Sequence, residues 1–486
     1  MNIFKRIGEW IMNIFRTSAE KEFNVNVISS EMMELAQVQW NNILKGQPYW
    51  LKPNVRTINF AKFICQYTSK KTCMDLNITV SGSERADYIN RCLKEMVGKS
   101  IRDKVEDACG LGGIILKPSG TYSAAGSIDY VLPGNFVITE KNSNGDILGI
   151  VFVDRIIKGK DYYTRLEYQH FVDYINPETE ETGRNYAIEN KAFKSHGADQ
   201  LGNKINLEDV EEWKNIQPVL IISNVEKPLF GYFKMPYNNT IDYSSPEGVA
   251  MFSNAIEELK DLDVAWSRKG DEVEDSQHIT FIDETSLIKT DKQTGKKERI
   301  NLPRFVKGLK HGVDSTSTVD EHVPTMLTEQ RISDINSTLS MISTKCGFSQ
   351  GQFVLDRKSG RITATQIESD DSETVETISD IRNRLKDAIK ALIYALNKYC
   401  DVFFNMPDGY VNALDENVPD ENIFYFKDLL ASFEQDRTRA YQLMIQGIYS
   451  KKKYLMEYEG FSEDEALEMM QEAKEENKDK DLFAEE

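Results

Sequence analysis

Residues 331–346 read Arg331-Ile-Ser-Asp-Ile-Asn-Ser-Thr-Leu-Ser-Met-Ile-Ser-Thr-Lys-Cys346. Apolar side chains fall at Ile332, Ile335, Leu339, Ile342 and Cys346, in alternating steps of three and four. That is a narrow heptad seam, the pattern of a helix packed against long neighbours. It predicts a helix over 326–346 whose packing rests on Ile332, Ile335, Leu339 and Ile342. Upstream, Ser245-Pro246-Glu247 supplies a cap, a proline at the first helical position and an acid in the first turn. A helix over 246–278 is expected there, its apolar face carrying Val249, Phe252, Ile256, Leu259 and Trp266. Downstream, the loop 347–362 holds Gly347, Gly351 and Gly360, and Thr363-Ala-Thr-Gln366 has capping-box spacing. The helix it opens carries Ile378, Ile381, Leu385, Ile389, Leu392, Leu396, Tyr399 and Phe403. About 40 helical residues would extend ~60 Å, which suggests an extended or oligomeric body.

The N-terminal half has a different texture. Residues 1–115 read mostly as helix, with Gly46-Gln47-Pro48 as a stop and turn between Trp40 and Trp50. Further helices are expected from about Thr57 and over Arg85–Cys109. Over 128–222 the period changes. Ile147–Ile157 and Tyr162–Val172 read as strands joined by the hairpin signal Lys158-Gly159-Lys160-Asp161, with more strands at Tyr186–Phe193 and Val219–Ser223. The fold class is α+β. Residues 279–325 return to short strands and turns, and 427–486 read as acidic helix of falling packing content. Ile3, Phe4, Ile7, Trp10, Ile11, Ile14 and Phe15 lie at helical spacing, interrupted by Lys5, Arg6, Glu9 and Arg16. This is expected to be a helix docked on its own protein, not a signal peptide or membrane anchor.

The 486 residues suggest about three domains. With 78 acidic and 59 basic side chains the net charge is −19, which argues against a protein that coats DNA with its whole surface. No apolar run approaches the roughly 20 residues that span a bilayer, so no membrane partner is expected. Six dispersed cysteines (Cys65, Cys73, Cys92, Cys109, Cys346, Cys400) contain no Cys-x-x-Cys, and reduced, mostly buried thiols are expected. Gly98-Lys99-Ser100 ends like a phosphate loop, but Leu93 stands where the first glycine belongs. Gly110-Leu-Gly112-Gly113 follows a helix and precedes a strand, the reverse of a dinucleotide fingerprint, and reads as a helix stop. His311 and His322 flank Asp314 and Asp320 without a known ligand spacing and read as solvated loop residues. No catalytic constellation stands out, so neither an enzyme nor a cofactor is expected.

The charge is unevenly spread. Lys289, Lys292, Lys296, Lys297, Arg299, Arg304, Lys307 and Lys310 face only Asp291 and Glu298, a net +6 over 289–310. Residues 459–486 hold twelve acids against three lysines, a net −9. The loop 347–362 carries Arg357, Lys358 and Arg361 against Asp356. Such local basic stretches in an acidic chain suit an acidic partner or phosphate contacts.

The succession of segments resembles the portal proteins of tailed bacteriophages, in the branch found in siphophages of Gram-positive hosts. It runs through Trp40-Asn-Asn-Ile-Leu-Lys-Gly-Gln-Pro-Tyr-Trp50, Thr57-Ile-Asn-Phe-Ala-Lys62, Ala108-Cys-Gly-Leu-Gly-Gly-Ile-Ile-Leu-Lys-Pro118 and Tyr162-Tyr-Thr-Arg-Leu-Glu167. The most specific stretches are Pro228-Leu-Phe-Gly-Tyr-Phe-Lys-Met-Pro236, running on to Ser245-Pro-Glu-Gly248, and Gly360-Arg-Ile-Thr-Ala-Thr-Gln-Ile-Glu368. The likeness covers nearly the whole chain; beyond about 430 it is one of character alone.

The resemblance implies a portal fold: a mixed α/β wing (1–245), stem helices (246–278 and 326–346) and a strand-containing clip (279–325). It further implies a tunnel loop (347–362), a long kinked helix with a wing return (363–419) and a helical crown (420–486). It implies a homo-oligomeric ring of about twelve subunits at one capsid vertex. Double-stranded DNA would pass through it, meeting Arg357, Lys358 and Arg361 in the channel. The eight basic clip residues would dock terminase, which in the family supplies the ATPase. Other implied partners are the major capsid, scaffold and head-completion proteins, and the place is the virion, after assembly in the bacterial cytoplasm. Two other readings stay open. One is a different capsid or connector subunit. The other is a metal-dependent nuclease built on Glu368, Asp370, Asp371, Glu373 and Glu376.

Overall fold

The computed structural model describes residues 15–28, 30–119, 128–175, 182–275, 327–355, 372–404, 406–427, 440–446, 449–458, 466–467 and 469–470, and the backbone of the strands that lie within 279–322. The chain divides into two compact units, Met1–Phe426 and Lys427–Glu486.

The first unit opens on helices: α1 (15–23), α2 (Glu31–Leu44), α3 (Phe60–Thr72), α4 (Glu84–Lys99) and α5 (Ile101–Leu111). The helix expected over Arg85–Cys109 is two helices that meet at Ser100, the C-cap of one and the N-cap of the next. Between α3 and α4 lies the short β1 (Asn77–Ile78). The glycine run after Cys109 is the helix stop that its order implies. Gly112 takes φ +92 as the C-cap of α5, and β2 (Gly113–Pro118) starts at the next residue.

Two antiparallel sheets follow. In the smaller, β2 lies between β3 (Ile128–Val131) and a later strand, β10 (Gly231–Lys234). The larger orders β4 (Phe136–Lys141), β5 (Ile147–Lys158), β6 (Asp161–Ile175), β7 (Thr182–Ser195) and β8 (Asn203–Ile205), with β9 (Val219–Ile222) also paired to β7. The hairpin signal folds as read: Lys158 pairs with Asp161, and Gly159 supplies the positive φ of +67 that a two-residue turn needs.

Period-two alternation gives the large sheet two faces with different covers. On one face α1 buries Phe15 and Ala19 against Val151, Val153, Leu166 and Phe193. Phe15, the last residue of the N-terminal apolar stripe, therefore docks on its own protein; residues 3–14 lie outside the described ones. On the other face Phe171, Tyr186 and Ile188 pack against Ala395 and Tyr399 of a long helix.

That face also buries a charge network. Glu167 accepts from Lys117 Nζ at 2.8 and 2.9 Å and from Gln169 Nε2 at 2.6 Å, and pairs with Arg165 at 3.0 Å. Tyr186 extends the network by donating to Gln169 at 2.9 Å. Burial alone would raise the Glu167 pKa, but Lys117 and Arg165 outweigh it and hold the carboxyl down at about 2.

After β10 come α6 (Ile256–Asp275), the inserted strands β11 (Ile279–Asp283), β12 (Ile288–Thr290), β13 (Lys297–Arg299), β14 (Val306–Leu309) and β15 (Val319–His322), and then α7 (Thr328–Lys345). The helix start expected at Ser245-Pro246-Glu247 is not one. Residues 245–250 run buried and non-helical, and α6 begins at Ile256 behind a 3-10 turn over Ser253–Ala255. Tertiary partners take the groups that a helix would have used. Glu247 accepts from Gln37 Nε2 at 2.9 Å, Gly248 N donates to Tyr232 OH at 2.9 Å, and Met251 N donates to Cys109 O at 3.0 Å. Gly248 crosses Gly112 so closely that a Cβ on either would strike the other's carbonyl oxygen.

The long helix, α8 (Ser372–Phe403), runs unbroken for 32 residues, about 48 Å. Its Ile378, Ile381, Leu385, Ile389, Leu392 and Leu396 are buried as the spacing predicts. Residues 363–371, with the capping box, lie outside the described ones. Two arginines fasten α8 and its exit to the N-terminal helices. Arg382 donates to the α3 carbonyls of Lys71 (2.9 Å) and Thr72 (3.2 Å). Arg85 on α4 donates to Pro407 O at 2.7 Å and pairs with Asp401 at 2.6 Å. The closing strand, β16 (Phe424–Tyr425), pairs with β1, so residues 420–426, expected in the crown, belong to this unit.

In the second unit, α9 (Lys451–Tyr458) carries Tyr454, whose ring lies 5.9 Å from that of Tyr441.

Candidate functional site

The seam of α7 buries Ile335, Leu339, Ile342 and Cys346, while Ile332 at its outer end is half-buried. Its partner is α6, running antiparallel. Two ion pairs fix the register: Glu258 with Lys345 at 2.5 Å, and Glu272 with Arg331 at 3.0 Å. The two acids and the two bases are the same number of residues apart, so the helices are aligned without slippage between the clamps.

The outer clamp also closes the inserted strands. Glu272 accepts from the Leu327 backbone N at 2.7 Å as well as from Arg331, and these bonds hold its carboxyl below the usual range, the Leu327 bond foremost. The chain therefore leaves α6 and re-enters α7 at one carboxylate. Within the insertion the order is β14-β11-β15, with β11 parallel to β14 and antiparallel to β15, beside a separate β12–β13 pair. Of the basic residues expected here, Lys289 lies on β12, Lys297 and Arg299 on β13, and Lys307 on β14. The register sets Lys289 opposite Glu298 and Arg299 opposite Ile288. Lys292, Lys296, Arg304 and Lys310 lie outside the described residues.

The inner end of α7 is a second root. Gly347, at φ +77, turns the chain out of the helix. Ser349 and Thr374 then bond each other reciprocally: Ser349 N donates to Thr374 Oγ1 at 3.0 Å, and Thr374 N to Ser349 Oγ at 3.2 Å. Phe353 sits among Phe60, Phe63, Tyr67 and Phe348, with ring centroids 5.3–5.8 Å away. Gln352 Nε2 donates to Tyr67 OH at 2.8 Å. The segment 356–371 thus departs from and returns to a base pinned on α3 and α8. Arg357, Lys358 and Arg361 fall in that segment, outside the described residues.

The helix pair is anchored to the body through α6. Asp263, buried in mid-helix, accepts from Trp50 Nε1 at 2.9 Å and from Ile58 N at 3.0 Å. Burial raises its pKa although these donors oppose the shift. Ser267 Oγ accepts from Arg56 N at 2.9 Å. The sequence marks Trp50 only as the flank of a turn. Its contact with Asp263 spans more than 200 residues and has no local signature.

Of the acidic residues at the start of α8, Glu373 and Glu376 are exposed, and Glu368, Asp370 and Asp371 lie outside the described residues. Among the described residues no group of three or more His, Cys, Asp and Glu side chains is placed to hold a metal ion. Five of the six cysteines are buried, and burial pushes the Cys65 and Cys109 thiols well above their ordinary pKa, away from the reactive thiolate. No described helix is long and apolar enough to cross a membrane.

The chain is similar to a solved structure described as the virion of a native gene transfer agent particle. The TM-score is 0.38 and the identity 9%, over 86% of this chain and 92% of that one. A likeness this loose assigns no role. No family model matches the chain, and no curated protein does.

Proposed function

We propose that the chain is a virion component of the portal type. In this reading it is a subunit of a homo-oligomeric ring at a capsid vertex that lets double-stranded DNA in during packaging and out at ejection. One observation carries the reading. A single helix, α7, joins at one end a strand-bearing insertion whose 289–310 stretch is net +6 and at the other a loop that carries Arg357, Lys358 and Arg361, and each segment is closed at its root by side-chain clamps. The helix has 18 residues, so the two roots stand about 27 Å apart. A conduit needs such an arrangement: a spacer wall, a docking element at one mouth and a phosphate-touching element within.

In this reading Arg357, Lys358 and Arg361 face the channel. Lys289, Lys292, Lys296, Lys297, Arg299, Arg304, Lys307 and Lys310 form the face that docks terminase and later a head-completion protein. The net charge of −19 per subunit repels DNA from most of the wall, so the polymer slides instead of sticking.

Native mass measurement and negative-stain microscopy of the purified chain test this. A ring with a central hole is expected. A monomer that binds Mg²⁺ would overturn it in favour of a nuclease using the acidic residues at 368–376. Within an assembled ring, reversing the charge of the 289–310 lysines should abolish packaging and leave the ring intact.

A further inference from the structure

The helix pair has two exposed flanks that differ in chemistry. With ~100° of rotation per residue and the two clamps fixing the seam, Trp266 and Val273 project to one side of the plane of the pair. Asp334, Ser337 and Met341 project to the other. Trp266 is 37% exposed, Val273 54% and Met341 51%, high for large apolar side chains on a helix pair that is otherwise well packed. Lys269 lies over the Trp266 ring at 5.0 Å. Neither Lys269 nor Asp334 has an ion-pair partner among the described residues.

Height matters as much as side. Counted from the clamps, Lys269 stands level with Asp334, and Trp266 stands level with Ser337, one turn from Met341. The pair therefore carries a bulky flank with one cation, Lys269, folded over Trp266, and a slimmer flank with one anion, Asp334, at matching heights. In a ring, neighbours related by rotation about a common axis meet at equal height through unlike surfaces.

Resting on the ring reading above, we infer that the Trp266–Lys269 flank of α6 docks onto the Asp334–Ser337–Met341 flank of α7 in a second copy of this chain. The contact is head-to-tail. Lys269 meets Asp334, and the indole lies over Ser337 against the Met341 thioether. Self-pairing of either flank is disfavoured, because it would oppose like charges.

Charge swap tests the inference. Lys269→Glu and Asp334→Lys each place like charges together and should raise the concentration at half-assembly about tenfold or more. The double variant should restore wild-type assembly. Below the assembly concentration, all three should keep the far-UV spectrum and melting temperature of the wild type. A second measurement uses Trp266→Cys with Ser337→Cys: oxidation should give a ladder of multimers beyond the dimer, absent from either single variant. Rings with no charge-swap effect and no ladder would overturn this contact while leaving the ring reading standing. Cross-linking that stops at the dimer would also overturn it. A wild-type monomer at all concentrations would overturn both.

Discussion

The large sheet and the α6–α7 pair both rely on ion pairs but place them differently. On the large sheet, Glu167 meets Lys117 of the neighbouring β2, and both side chains are only 5% exposed. In the helix pair, Glu258 and Glu272 lie at the two ends, 22% and 20% exposed, beside an apolar seam. A buried ion pair must hold because nothing else can solvate its members. A partly exposed one has water as an alternative, so it contributes register and closure more than cohesion. The sheet is thus built as a fixed block. The pair is built as a spacer whose ends are defined.

Breaking the network tests the first half of that contrast and should have the largest effect. Glu167→Ala leaves the buried Lys117 and Arg165 with only the more distant carboxylates of Asp129 (3.8 Å) and Asp154 (3.4 Å), and should destabilise the first unit by ~3–5 kcal/mol, read from chemical denaturation. Acid titration should give the matching signature. Because the folded pKa of about 2 lies below the ordinary carboxyl value, the Glu167 contribution is complete above about pH 4.5. It is lost as pH falls towards 2. The variant should lack that acid-dependent loss. If Glu167→Ala unfolds at the wild-type denaturant concentration, the sheet is no more dependent on its ions than the helix pair is.

The seam comes next. Leu339→Ala removes a side chain that is 2% exposed and should cost about 2–4 kcal/mol through lost transfer energy and the cavity left behind. Ile332→Ala, half-buried at the outer end, should cost less than half as much. Equal losses at both positions would mean that the pair is packed along its full length and not chiefly at its inner end.

What the sequence revealed follows from the range of the interactions. The α7 seam, the α8 stripe and the β5–β6 hairpin are written in spacings of two to four residues and were legible. The apparent helix start at Ser245-Pro246-Glu247 misled for the complementary reason. Its local signal is sound, but Gln37, Tyr232 and Cys109, all remote in sequence, claim the same groups. The break at Ser100 was hidden because helical spacing continues across it. The Lys117–Glu167 pair, the Trp50–Asp263 anchor and both roots join residues that only the folded chain brings together. At the candidate site the sequence marked charge and spacing, while the clamps that give those segments fixed origins came from the structure. Arg357, Lys358 and Arg361 fall outside the described residues, so their expected place in the channel rests on the resemblance.

The smallest global effect is expected at the outer clamp, and it separates closure from cohesion most cleanly. Glu272→Gln keeps the shape and a hydrogen-bond acceptor but removes the charge that faces Arg331 and the Leu327 amide. If the clamp defines where the insertion begins, exchange of the Leu327 amide should quicken, and proteases should cut sooner between 276 and 327. The unfolding midpoint should scarcely move, since the apolar seam still holds the two helices together. Glu258→Gln at the inner clamp is the control, because it faces Lys345 at the opposite end of α6 from the insertion. It should leave exchange at Leu327 unchanged. If Glu272→Gln instead lowers the midpoint as far as Leu339→Ala does, the outer ions hold the pair together, and the contrast with the sheet disappears.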